Sequence, residues 1–253
     1  MHLIANIRTD LYAEGVAGPM AEDGVRLNKF IAEAGVASRR AADRLIEEGN
    51  VTINGRTAVL GDRVSDGDRV CVSGKPIRRD DAGTVILAFN KPRGLTCTAD
   101  PGDRDNVIDF INYPRRIFTV GRLDKDSEGL LLLTNDGEFA HRVISPKQHV
   151  TKEYYAETDG DTDAHDAEAF ARGITLKDGL VCLPAELIPQ GRSCTVIVQE
   201  GKYHQVRRML AAVGKPVTAL RRLAIGALRI ENLRFENGIC ELSPPQISQI
   251  FIK

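Results

Sequence analysis

The stretch GRLDKDSEGLLLLTNDG, Gly121 to Gly137, decides how this chain is read. An apolar, β-branched run, Ile117 to Val120, leads into it, and a second apolar run, Leu130 to Leu133, follows. Both have strand length, and glycines bound the polar part between them. Arg122, Asp124, Lys125, Asp126 and Glu128 are thereby crowded into one short turn between two buried segments. Such a turn fixes charged groups at a domain surface, as a solvated hairpin tip or as a site.

Upstream of this turn, residues 1–24 mix small, acidic and glycine residues with weak periodicity and read as an N-terminal extension. From Val25 the pattern sharpens. Leu27, Phe30, Ile31 and Ala34 fall at helical spacing, with Gly35 as a stop. Ser38 can cap a second helix that Gly49 ends. Val51 to Asn54 alternates like a strand, Asn54-Gly55 is a hairpin signal, and Arg69 to Val72 supplies another strand. A polar stretch with proline and glycine, residues 75–83, is the expected linker. Val85 to Phe89 then reads as an apolar strand, and NKPRGLTCT, Asn90 to Thr98, as the turn after it.

Downstream, Glu138 to Ile144 has the pattern of a short helix, and TKEYYAET, Thr151 to Thr158, alternates like a strand. Ala164 to Arg172 is an amphipathic helix, and Gly179 to Leu187 and Cys194 to Gln199 read as further strands. Between Gly201 and Arg222 stand Lys202, Arg207, Arg208, Lys215, Arg221 and Arg222, with no acidic residue among them. This local basic patch is hidden by a whole-chain net charge of -1. Within it Val206, Met209, Leu210 and Val213 form one helical stripe and Gly214 its cap. At about 100° per residue Arg207 lies beside that stripe and Arg208 on the far side. Arg207 can therefore reach inward while Arg208 faces solvent or a bound partner. The tail from Ile239 has strand character up to Pro244-Pro245, with a short helix after it.

The 253 residues suffice for a small and a medium domain, each with its own core. Five cysteines, widely spaced and without a C-x-x-C pair, argue against a disulfide framework or a zinc site and suit a reducing cytoplasm. The histidines are equally scattered, so no metal site is expected. No apolar run approaches membrane-spanning length.

The separated motifs recur in the order found in one family. Gly-Arg-Leu-Asp, the K-P-x-G turn, Lys152-x-Tyr154 and GKYHQVRRM resemble the motifs of ribosomal RNA pseudouridine synthases of the RsuA/RluB/RluE/RluF type. The helix-helix-hairpin unit resembles the S4 RNA-binding module. The resemblance implies an α+β chain: an S4-like domain at 25–74, then a catalytic domain at 84–253 with a mixed, largely antiparallel sheet. It makes Asp124 the essential catalytic residue, Arg207 the arginine paired with it, and Tyr154 the tyrosine packed on the target base. Arg122 is expected to hold the flipped nucleotide or its vacated space. Arg26, Lys29, Arg39, Arg40, Arg44, Lys91, Lys202 and Arg208 are the expected RNA contacts, because backbone contacts position RNA without reading it.

The implied reaction cleaves the C1′–N1 bond of a uridine, turns the uracil and rejoins it through C5. No redox change occurs, so no cofactor is expected. The expected partner is ribosomal RNA or a ribosome assembly intermediate, met by a monomer. DRDNVIDF, Asp103 to Phe110, resembles members acting on large-subunit RNA, whereas EGKYHQVRRMLAAVG is closer to the small-subunit enzyme. The first leads slightly. The competing reading is a catalytically silent RNA-binding protein on the same scaffold, whose mark would be a lost aspartate or motif arginine. Asp124 and Arg207 are both present.

Overall fold

The computed structural model describes residues 24–78, 83–98, 100 and 102–252. The expected N-terminal extension lies outside the described residues, apart from Gly24. The chain divides into two compact units, residues 1–79 and 80–253.

In the first unit, helices Leu27–Glu33 and Arg39–Glu47 pack on a four-stranded antiparallel sheet. The Ser38 hydroxyl accepts from the Ala41 N–H, as its position before the second helix predicts. Leu27, Ile31, Ala42, Ile46, Val51, Val70 and Val72 form a core of their own. Asn54 and Gly55 both take positive φ, at 52° and 86°, which lets Val51–Ile53 fold back onto Arg56–Thr57. The linker begins later than expected: Lys75–Ile77 is a fourth strand, paired with Val70–Val72. Pro76 is tolerated there because this strand is the sheet's edge.

The second unit is built on a nine-stranded sheet. Its order is Glu186–Pro189, Gly191–Val198, Lys152–Thr162, Val217–Ile225, Glu128–Thr134, Ile86–Lys91 and Ile239–Glu241, with Leu228–Arg229 and Phe118–Val120 paired at the side. Every pairing in it is antiparallel except one, between Val217–Ile225 and Glu128–Thr134. That parallel seam joins two antiparallel halves through only two register pairs, Arg221 with Glu128 and Arg222 with Gly129. An added Cβ at Gly129 would lie 2.8 Å from the Arg222 nitrogen and closer still to its carbonyl oxygen. Glycine is therefore what lets the halves meet.

The leucine run is buried on both faces. Leu130 and Leu132 enter one core with Val120, Phe139 and Val143, whereas Leu131 and Leu133 enter another with Val85, Leu87 and Ile117. This explains a continuous apolar strand instead of an alternating one. Helix Gln205–Ala212 packs Val206, Met209 and Leu210 into a third core with Phe170 and Val196. Gly179 to Leu187 is not one strand as expected; the strand starts at Glu186, and Leu180, Val181 and Leu183 are exposed. Among the described residues, no helix is long and apolar enough to cross a membrane.

Candidate active site

The polar turn between Phe118–Val120 and Glu128–Thr134 is clamped from beneath. Lys91, fully buried at the end of its strand, donates through Nζ to the carbonyl oxygens of Pro92, Asp124 and Ser127 at 3.0, 3.1 and 2.8 Å, and to that of Lys125 at 3.4 Å. The Gly94 N–H donates to the Lys125 carbonyl, and the Leu123 N–H to Cys97 Sγ. Burial pulls the Lys91 ammonium below its ordinary range, opposed by the charges of Cys97, Asp124 and Asp126. The expected phosphate contact by Lys91 is thus corrected: a lysine at 0% exposure cannot meet RNA, and its charge instead holds the turn's backbone. A K-P-x-G turn looks like an exposed loop in sequence. Its lysine faces inward because the strand ends beneath the turn.

The turn presents Asp124 to a cavity of about 500 Å³, lined also by Arg122, Lys152, Tyr154, Lys202, His204 and Arg222. Arg207 Nε stands 3.4 Å from Asp124 Oδ2, and Arg207 Nη2 donates to Ser127 Oγ at 3.2 Å. The inward reach expected of Arg207 from the helical stripe is therefore realised. On the other side His204 Nε2 lies 3.3 Å from Asp124 Oδ1, with its ring stacked on Tyr203. His204 takes φ 48° just before the helix, and this left-handed backbone turns its ring towards the aspartate. The carboxylate therefore has a cationic or polar partner on each oxygen and keeps 28% of its side chain exposed.

Tyr154 lines the same cavity, and its hydroxyl accepts from Arg222 Nη1 at 3.4 Å. Arg122 is exposed and sits on the lining. Lys202 lines the cavity too, but its ammonium is paired with Glu200 at 2.9 Å. Arg208 points away to an ion pair with Asp178 and lines no part of the cavity. Asp126 is exposed, and Glu128 lies 3.6 Å from Arg93 Nε. In the first unit Arg26, Arg39, Arg40 and Arg44 are exposed, and Lys29 is 3.6 Å from Glu33. Three cavity residues had no site role from sequence: His204, whose motif position before QVRR was the available signal, Lys152, which entered only through the K-x-Y motif, and Arg222, which entered only through the basic patch.

A carboxylate fixed by its own backbone, flanked by a guanidinium and facing a tyrosine-lined cavity, fits glycosidic bond chemistry at a base. The family of RNA pseudouridylate synthases matches residues 85–212, and the S4 domain matches residues 25–70. The chain belongs to the RNA pseudouridylate synthases and is an enzyme that isomerises uridine to pseudouridine. It is 40% identical to the ribosomal large subunit pseudouridine synthase B of Bacillus subtilis, over 89% of this chain and 95% of that one. It is 39% identical to the dual-specificity RNA pseudouridine synthase RluF of Salmonella typhi, over 81% of this chain and 72% of the relative. A crystal structure of a pseudouridylate synthase superposes with a TM-score of 0.65 at 33% identity, covering 89% of this chain and 99% of that one.

Proposed function

We propose that this enzyme isomerises a uridine of ribosomal RNA, with Asp124 as the catalytic carboxylate and a target in the large subunit. The observation that carries the reading is Asp124 itself: its backbone is pinned by Lys91, and its two oxygens lie 3.3 and 3.4 Å from His204 and Arg207. The carboxylate has a charge-assisted partner in the adjacent guanidinium. Two routes are open to it: attack on C1′, as in retaining glycoside hydrolysis, or removal of a sugar proton. In both, the electron pair of the C1′–N1 bond departs with uracil, and C5 then bonds to C1′ while its hydrogen is lost. The stacked nucleotide has to be extruded first, with Tyr154 against the uracil and Arg122 at the rim taking its place or its phosphate. Exposed Arg26, Arg39, Arg40 and Arg44 of the S4-like unit, with half-buried Lys29, supply phosphate contacts, and Lys202 does so at the cavity. Arg208 serves RNA only where its pairing with Asp178 opens.

The large-subunit assignment is supported by Asp103 to Phe110. Asp105 pairs with Lys125 of the catalytic turn at 3.1 Å, so this segment lies where it can bias which RNA fits. The similarity to the Bacillus subtilis large-subunit enzyme along 95% of its length points the same way. Five free cysteines and no disulfide among the described residues agree with a cytoplasmic enzyme. Asp124→Asn keeps the shape and removes the charge, so tritium release from RNA carrying 5-tritiated uridine should vanish with folding intact. Arg207→Lys keeps a charge but not the planar fork and should lose about 10–100-fold; the double variant should be little worse than Asp124→Asn. Wild-type release by Asp124→Asn would end the mechanism. Mapping pseudouridines in a deletion strain tests the target: a site lost from small-subunit RNA alone overturns the large-subunit assignment.

A further inference from the structure

The cavity that Asp124 faces contains a charge that the turn's chemistry does not use. Arg222 is 4% exposed, and its neighbours satisfy only part of its guanidinium. Nε donates to the Leu130 carbonyl at 2.7 Å and Nη1 to the Tyr154 hydroxyl at 3.4 Å, whereas Nη2 is buried with no hydrogen-bond partner. No carboxylate forms an ion pair with Arg222 among the described residues. Lys152, two residues before Tyr154, lines the same cavity, and its ammonium has no ion pair or hydrogen bond among the described residues. Its ammonium is pushed down to about 8, by burial first and by the charge of Arg222 second. A buried guanidinium and a half-buried ammonium that feels its charge, neither paired with a carboxylate, are costly to a fold. A well-packed apolar pair would serve packing better, so the pair is explained by a transient anion in the cavity.

We infer that Arg222 and Lys152 stabilise the uracil as it leaves the sugar with the glycosidic electron pair. This rests on the proposed role of Asp124 and deepens it. When the C1′–N1 bond breaks, both electrons go to N1, and the neutral base becomes an anion delocalised over N1, O2 and O4. In the attack route Asp124 forms a C1′–O bond and loses its charge. In the elimination route it takes the sugar proton and is likewise neutralised. Either way one negative charge moves from the carboxylate to the base, within the cavity that the two cations line. C5 then bonds to C1′, the pair returns to the carboxylate or the sugar carbon regains its proton, C5 gives up its proton and N1 gains one. The charge is needed only between the two bonds, which is why no resident carboxylate neutralises it. Tyr154 links the two halves of the device: it accepts from Arg222, whose guanidinium carbon lies 5.9 Å from its ring centroid, so the base packed on the tyrosine meets the guanidinium's field.

The test compares leaving groups. Arg222→Met and Lys152→Met are assayed under single-turnover conditions on a large-subunit ribosomal RNA transcript carrying uridine, and on one carrying 5-fluorouridine. Consumption of the target nucleoside is read by mass spectrometry after digestion. Fluorine makes the departing base a more stable anion. Each variant should slow uridine consumption by about 100-fold but 5-fluorouridine consumption by roughly tenfold less, with RNA affinity unchanged. Equal loss on both substrates would make Arg222 a strut between strands, and undiminished rates would leave the pair without a catalytic role; either overturns the inference. Should Arg222→Met fail to fold, Lys152→Met decides alone. Asp124→Asn, run in parallel, is expected to be inactive on both RNAs. If it is active, the proposed role of Asp124 fails; if it is inactive and the methionine variants are normal, only the present inference fails.

Discussion

Replacing Lys91 with methionine separates the role its burial assigns from the phosphate contact its motif implied. The ammonium's three protons serve four carbonyl oxygens, and three of those belong to Asp124, Lys125 and Ser127 in the catalytic turn. A hydrogen bond to a charged group contributes about 1.5–3 kcal/mol. The burial that lowers the Lys91 pKa offsets part of this. Removing one partner of a buried charged set leaves the others unsatisfied, so Lys91→Met should cost about 3–4 kcal/mol of stability in urea unfolding. With the carbonyl of Asp124 released, a displacement of about 1 Å would reduce turnover roughly 100-fold, with KM within about twofold. Tritium release under saturating RNA measures the turnover, and salt titration of RNA binding should give an unchanged slope. Stability within about 0.5 kcal/mol of wild type and normal turnover would refute the clamp. A salt slope lower by about one would return Lys91 to the phosphate backbone.

Three further outcomes follow from particular contacts. Gly129→Ala places a Cβ against the Arg222 backbone at φ 105°, so it should destabilise the catalytic unit by about 2–5 kcal/mol, and an unshifted urea midpoint would contradict the close approach. Lys152 has a folded-state pKa of about 8 against an ordinary 10.5, so the unfolded chain binds more protons between those values and wild-type stability rises with pH across that window. Below pH 8 Lys152→Met should therefore be more stable than wild type, by about 1–2 kcal/mol after allowance for solvent screening, and the gain should shrink towards pH 10.5; a variant less stable at pH 7 would exclude it. Alanine at Arg39, Arg40 and Arg44 together should weaken RNA binding and flatten its salt dependence while turnover on saturating short RNA survives, and an unchanged slope would remove the first unit from the RNA surface.

Sequence alone determined the features that depend on neighbouring residues. The Ser38 cap, the Asn54-Gly55 reversal, the bounds of helix Ala164–Arg172 and the division of Arg207 from Arg208 around one helix all follow from spacing, and the structure has each of them. Asp124 at a turn between buried strands was legible for the same reason, because strand length and glycine punctuation are local, whereas the two-domain order came from the polar linker and the resemblance of the motifs. Tertiary structure decided what depends on partners far along the chain. Lys75–Ile77 reads as linker until Val70–Val72 offers it a hydrogen-bonding edge, whereas Gly179 to Leu187 reads as one strand although only its end finds a partner in Gly191–Val198. The parallel seam at Gly129 and Arg222 brings together residues that local periodicity cannot relate. Lys91, His204 and Arg222 are three ordinary polar letters, and their roles come from where a strand end, a left-handed residue and the seam place them: one beneath the turn, one beside its carboxylate and one on the lining of the same cavity. Burial and charge pairing belong to the folded arrangement, because desolvation depends on every element that closes around a group.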